Sequence, residues 1–98
     1  MNYLNRIYAN HVILGASGLT ADGVSNADPE IAETYRAMVH RGTDTIIVAD
    51  HSKIDKTAVS IYAEWGEISE LVTDVEPADE ELMSALKLSK TNIKLTIY

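Results

Sequence analysis

Thr45-Ile46-Ile47-Val48-Ala49 is an unbroken apolar, largely β-branched run that stops abruptly at the polar cluster Asp50-His51-Ser52-Lys53. A strand with one wet face alternates apolar and polar residues. An unbroken run therefore predicts a strand covered on both faces by helices, the environment of a parallel sheet. Val12-Ile13-Leu14, running into Gly15-Ala16-Ser17-Gly18, repeats the pattern as a second buried strand closed by a tight loop. Two such strands within 98 residues direct the chain towards an α/β fold.

The segments between them support this reading. Asp28-Pro29-Glu30 combines a capping side chain, a proline at the first helical position and an acid in the first turn, so a helix starts here. Ile31, Tyr35 and Met38 recur at helical spacing, Val39 widens the stripe and Gly42 supplies a stop, which predicts a helix over 29–41. Leu4, Ile7 and Tyr8 suggest a short helix near the start. Val59, Ile61 and Ala63 alternate with Ser60, Tyr62 and Glu64, so 57–65 reads as extended in preference to a helical turn. Leu71-Val72-Thr73 is a third strand of the apolar type. Pro77-Ala78-Asp79-Glu80-Glu81 opens a helix that turns Leu82, Ala85 and Leu86 inward, with Lys87 and Lys90 near its negative end. Ile93, Leu95 and Ile97 alternate in a final strand. The predicted parallel strands lie near 11–16, 45–50, 70–74 and 93–97, in a mostly parallel sheet wrapped by helices.

Composition narrows the function. Fifteen acidic against 8 basic side chains leave a net charge of −7, with the basic residues scattered. A polyphosphate backbone is repelled by that field, so DNA is expected to be touched only by another domain. Cysteine is absent, which excludes disulfides and thiol chemistry and is compatible with a reducing cytoplasm. No apolar run approaches the ~20 residues of a membrane span, and Met1-Asn2-Tyr3-Leu4-Asn5-Arg6 has no signal-peptide stretch. The expected setting is cytoplasmic, away from membranes. His11, His40 and His51 show no ligand spacing, so no metal site and no cofactor are expected.

Open parallel sheets bind ligands outside the carboxyl ends of their strands. Here those ends are Gly15-Ala16-Ser17-Gly18, Asp50-His51-Ser52-Lys53 and Thr73-Asp74. Lys53 is the strongest candidate, because a flexible ammonium there can reach an anionic ligand; its plainer role is a solvated lysine pairing with Asp50. Ser52 and the His51 backbone offer donors, though a strand-terminating turn explains them equally well. Ser17 and Gly18 permit close backbone approach, or merely form a tight turn. Tyr35 belongs to a helical stripe, so packing is its plainer role, with its hydroxyl available to rim a pocket. Arg36 is placed to pair with Glu33. Asp50-His51-Ser52 suggests a catalytic triad, but adjacent strand residues face opposite ways and cannot converge. Tyr62, Trp65 and Tyr98 fit either an interface or a satellite core.

Leu14-Gly15-Ala16-Ser17-Gly18-Leu19, Gly23-Val24, Asp28, Glu30, Ala32, Arg36-Ala37-Met38, Ile46-Ile47-Val48-Ala49-Asp50-His51-Ser52-Lys53-Ile54, Glu67-Ile68 and Leu71-Val72-Thr73-Asp74 together resemble the sensor domain of DeoR-type transcriptional repressors. The resemblance implies a fold similar to ribose-5-phosphate isomerase and the CoA-transferases, a Rossmann-like mostly parallel sheet flanked by helices. It also implies that residues 1–98 are one domain, the C-terminal part of an effector-binding unit, without the helix-turn-helix and the first half of the sensor. The expected effector is a phosphorylated sugar or related metabolite, contacted by Ser17, Gly18, Tyr35, Asp50, Ser52 and Lys53, in a homo-oligomer. Two positions depart from the family pattern: Ile31 stands where many relatives have Glu, and Tyr35 where they have Lys. The alternative is a fragment of a sugar-phosphate isomerase, which needs a carboxylate base. Isomerase relatives carry acids where this chain has Ser17 and Tyr35, so no catalytic residue is assigned and a sensor, not an enzyme, is expected.

Overall fold

A computed structural model describes residues 11–41 and 44–96 of the chain. The suggested helix around Leu4, Ile7 and Tyr8, the stop at Gly42, and Ile97 and Tyr98 lie outside the described residues. Strand β1 (His11–Gly15) leads into a hairpin of β2 (Gly18–Thr20) and β3 (Gly23–Asn26), followed by helix α1 (Pro29–Arg41) and strand β4 (Asp44–Val48). A 3-10 turn (His51–Lys53), β5 (Ser60–Ala63) and a second 3-10 turn (Trp65–Glu67) come next. Strand β6 (Glu70–Thr73), helix α2 (Glu80–Leu88) and β7 (Asn92–Leu95) complete the described chain.

The apolar runs form one parallel sheet in the order β1-β4-β6-β7. Its register places Leu14 beside Ile47, Ile47 beside Leu71 and Leu71 beside Ile93, a row of apolar side chains across one face. The three strands β2-β3-β5 form a separate antiparallel sheet. Leu19 and Val24 from that sheet, Tyr62, Trp65, and Leu82 and Leu86 of α2 join Leu14, Ile47 and Leu71 in a single core. Burial of each such side chain contributes about 1.5–3 kcal/mol.

Two expectations need correction here. The β4 run was expected to be covered on both faces, yet among the described residues the core occupies only one. Thr45, Ile47 and Ala49 are buried, whereas Ile46 and Val48 are half-buried and Ile13 beside them is 65% exposed. The physical reason is that Leu19 and Val24 of the antiparallel sheet and Leu82 and Leu86 pack with Leu14, Ile47 and Leu71 into one core. The segment after β1, read as a loop, is a hairpin. Ala21-Asp22 forms its tight turn, and Gly23, at φ 140°, lets β3 approach β5 so closely that a Cβ would sit 2.2 Å from the Ala63 carbonyl oxygen. Strand β5 is extended as expected and pairs with β3 in the antiparallel sheet.

The helices follow their caps. Asp28 Oδ1 accepts from Glu30 N (2.9 Å), and Asp79 Oδ1 accepts from Glu81 N (3.1 Å), so α2 begins just after Asp79. In α1 the buried face is Ala32 and Val39 with half-buried Tyr35 and Met38, while Ile31 is 40% exposed. Tyr35, Met38 and Val39 of the expected stripe thus face the core, with Ala32 in the place expected for Ile31. Arg36 does not pair with Glu33; its Nη1 donates to the Tyr62 carbonyl (3.1 Å). Tyr62 and Trp65 are core residues, 1% and 2% exposed. The Tyr62 hydroxyl donates to the Gly15 carbonyl (2.7 Å), and Trp65 Nε1 donates to the Thr20 carbonyl (2.7 Å).

The Tyr62 bond yields a stability prediction. Tyr62→Phe keeps the ring but leaves the Gly15 carbonyl without that donor, and should lower unfolding free energy by about 1–2 kcal/mol. Urea unfolding should show a lower midpoint at unchanged slope; an unchanged midpoint contradicts the assignment.

Candidate functional site

The site is built by what ends strand β4. Asp50 leaves the sheet in extended conformation (φ −82°, ψ 173°) and caps the 3-10 turn that follows. Its Oδ1 accepts from Ser52 N (2.9 Å) and from the Ser52 hydroxyl, while its carbonyl accepts from Lys53 N (3.1 Å). A short acid at a strand end closes the turn by satisfying the exposed N–H groups behind it. The turn is held from behind by the hairpin: Ile54 bridges Leu19, and Asp55 N donates to the Leu19 carbonyl (2.7 Å).

Sheet register brings the second acid. Val48 lies beside Val72, so the chain two residues beyond β4 stands next to Asp74 at the end of β6. Asp74 Oδ1 accepts from His51 N (2.8 Å), and its Oδ2 lies 2.8 Å from His51 Nδ1. These strand ends enclose an open crevice of about 580 Å³ lined by Gly15, Ala16, Val48, Ala49, Asp50, His51, Ser52, Lys53 and Asp74. It lies where a parallel sheet is expected to take its ligand.

Of the residues singled out from sequence, Asp50, Ser52 and Lys53 meet in this crevice. Lys53 is half-buried, and its ammonium makes no hydrogen bond or ion pair among the described residues. Ser17 and Gly18 do not line it. Ser17 N donates to the Ser25 carbonyl (2.9 Å) and its Oγ accepts from Ala27 N (3.2 Å). A Cβ on Gly18 would sit 2.2 Å from the Lys56 carbonyl oxygen, so the close backbone approach at this glycine is to the protein's own chain. Tyr35 sits away from the crevice, edge-on to Tyr62 with ring centres 5.3 Å apart, and lines a separate hollow with Asp28, Glu30, Ile31 and Thr34. The pairing of His51 with Asp74 was not anticipated; Thr73-Asp74 was visible as a strand end, but its partner depends on register.

Electrostatics follow the bonds. Hydrogen bonds from the Ser52 side chain and backbone hold the Asp50 carboxyl below its ordinary range, and the His51 ring does the same for Asp74. The hydrogen bond to Asp74, reinforced by its charge, raises His51. In place of the triad geometry, the Ser52 hydroxyl serves Asp50 and the His51 ring serves Asp74. Asp50, His51 and Ser52 lie at and in a 3-10 turn and not along a strand as expected, and they still do not converge.

A mostly parallel sheet with an apolar-walled crevice at its strand ends, edged by Asp50, His51, Lys53 and Asp74, places the chain among α/β folds. The chain matches the family described as DeoR C terminal sensor domain over residues 1–75 and belongs to that family. It is 30% identical over 96 residues to the glycerol-3-phosphate regulon repressor of Haemophilus influenzae, covering 97% of this chain and 37% of that protein. It is 32% identical over 74 residues to the HTH-type transcriptional repressor GlcR of Bacillus subtilis, covering 76% of this chain and 29% of that one. Similarity to the transcriptional repressor AccR of Agrobacterium fabrum is 30% over 74 residues, 74% of this chain and 29% of that one. The chain therefore spans roughly a third of the length of these relatives, all of them repressors rather than enzymes. The family is one of sensor domains, and the relatives matched are named as repressors. No helix among the described residues is long and apolar enough to cross a membrane.

The bridge between His51 and Asp74 has a defined pH window. His51 is raised, so its contribution to stability is complete below the ordinary imidazole value of about 6.5 and is lost as pH rises through the higher folded value. Asp74 is lowered, so its contribution is present above the ordinary carboxylate value of about 3.9 and is lost as pH falls through the lower folded value. An NMR titration should place His51 above the ordinary imidazole value, and Asp74→Asn should bring it back. A His51 titration unmoved by that substitution contradicts the geometry.

Proposed function

We propose that this chain is the C-terminal part of the effector-sensing domain of a DeoR-type regulator of sugar metabolism, and that its crevice receives a phosphorylated sugar or related metabolite. The observation that carries this reading is Lys53, half-buried at the crevice, its charge acting on Asp50 but its ammonium in no close ion pair or hydrogen bond among the described residues. An ammonium in that position supplies a charge-assisted contact to a phosphate oxygen, and the apolar walls Ala16, Val48 and Ala49 reduce competition from water. A relative named for the glycerol-3-phosphate regulon supports a small phosphorylated ligand.

Within this reading the sensor works in a cytoplasmic homo-oligomer. DNA is contacted by a helix-turn-helix elsewhere in the full regulator, because a chain carrying −7 is repelled by phosphate backbones. Effector binding reaches that domain as a coupling free energy between two sites. The carboxylates also argue against isomerase chemistry: Asp50 and Asp74 are both held below the ordinary range, whereas a general base works best with a pKa near the working pH.

Lys53→Ala in the full-length regulator tests the assignment. Calorimetric titration with a panel of sugar phosphates should show roughly ten- to a hundredfold weaker binding of the metabolite that releases DNA, with operator binding and thermal stability near normal. Unchanged affinity in the variant returns Lys53 to the role of a solvated surface lysine.

A further inference from the structure

We infer that His51 is a second anion-contacting residue of the crevice, its Nε2 edge binding the ligand's phosphate only in the protonated ring, with Asp74 as the positioning residue. The inference rests on the reading of the crevice as an effector site and adds to it a ligand contact and a control by pH.

Geometry fixes the tautomer. A carboxylate can only accept, so the 2.8 Å contact between His51 Nδ1 and Asp74 Oδ2 places a hydrogen on Nδ1 in both protonation states. The exchangeable proton is therefore the one on Nε2. The neutral ring offers a lone pair there, which repels an anion; the cationic ring offers an N–H donor. The second bond, from His51 N to Asp74 Oδ1, stops the turn from swinging away, so the ring is held at the crevice in one orientation.

Charge balance makes the switch matter. The titratable groups lining the crevice are Asp50 and Lys53 from the turn, His51 itself, and Asp74 from the end of β6; the end of β1 adds only Gly15 and Ala16. With His51 neutral, two carboxylates face one ammonium and the crevice repels an anion. With His51 charged, the two signs balance, and Lys53 and His51 can grip a phosphate while Asp50 Oδ2, not engaged by Ser52, accepts a ligand hydroxyl. The favoured ligand class is thus a hydroxylated phosphate ester.

The test is calorimetry on the full-length regulator from about pH 5.5 to about 8.5, spanning the imidazole range. The titrants are a panel of triose, pentose and hexose phosphates, with inorganic sulfate as an anion whose charge does not change there. Sulfate affinity should fall by up to about tenfold per pH unit above the His51 pKa, because one proton is linked to binding. The sugar phosphate that binds should follow once its own second ionisation is subtracted. Asp74→Asn retains an acceptor for the turn but removes the charge, and should move the fall to lower pH. Lys53→Ala should weaken binding at all pH values without moving the midpoint. Tight binding of a sugar phosphate with a flat profile, or a midpoint unmoved by Asp74→Asn, overturns this inference and leaves the effector-site reading standing. No binding of any sugar phosphate even at the acid end overturns both.

Discussion

The hydroxyl of Tyr62 donates to the carbonyl of Gly15 across 2.7 Å, joining the last strand of the antiparallel sheet to the end of the first parallel strand. The same residue meets the Tyr35 ring in a T-shaped contact and gives its own carbonyl to Arg36, so helix α1 is tied to it twice. Burial, with the nearby Tyr35, pushes the Tyr62 phenol well above its ordinary range. The hydroxyl therefore stays a donor at any pH where the protein works. A buried aromatic that also satisfies a backbone carbonyl combines a large apolar contact with a directional one. The bond adds a directional tie to the apolar packing that joins the two sheets.

The joined sheets make the crevice. Gly15 and Ala16 form one wall of it, and the hairpin that follows them turns back so that Leu19, fully buried, holds Ile54 and Asp55 just beyond the 3-10 turn. The turn carrying Asp50, His51, Ser52 and Lys53 is thus fixed on three sides: by β4, by the hairpin and by Asp74. Side chains meant to meet a ligand need such support, because a loosely held ammonium or imidazole loses most of its contact energy to ordering on binding.

Helix α1 was legible in the sequence to its last residue, since Asp28-Pro29-Glu30 is a local start signal whose chemistry does not depend on the rest of the fold. Three of the parallel strands were legible from short continuous apolar runs and the fourth from alternation, although the runs overstated burial: Ile46 and Val48 are only half-buried and Ile13 is exposed. The hairpin was not, although Asp22-Gly23 stood at its turn: strands of three and four residues carry too little pattern, and Ser25 is buried only because its hydroxyl serves both Gly18 and Ala58. Strand β5 was recognisable as extended, but its sheet could not be assigned without knowing that Gly23 admits it closely. In the site, Asp50, Ser52 and Lys53 lie within one turn and could be read together. The partnership of His51 with Asp74 spans 23 residues and follows from register between β4 and β6, which sequence does not print. Tyr62 and Trp65 were open between interface and core until the carbonyls of Gly15 and Thr20 were seen to receive their polar ends.

The central claim is that effector binding engages the strand ends of the parallel sheet. Hydrogen–deuterium exchange on the full-length regulator, with and without the sugar phosphate that releases it from DNA, tests this most directly. The account predicts slowed exchange at backbone amides of residues 49–54 and around Asp74, with the outer face of α1 unchanged. Protection confined to α1 and the hollow beside Tyr35, with the 3-10 turn exchanging as before, would contradict it.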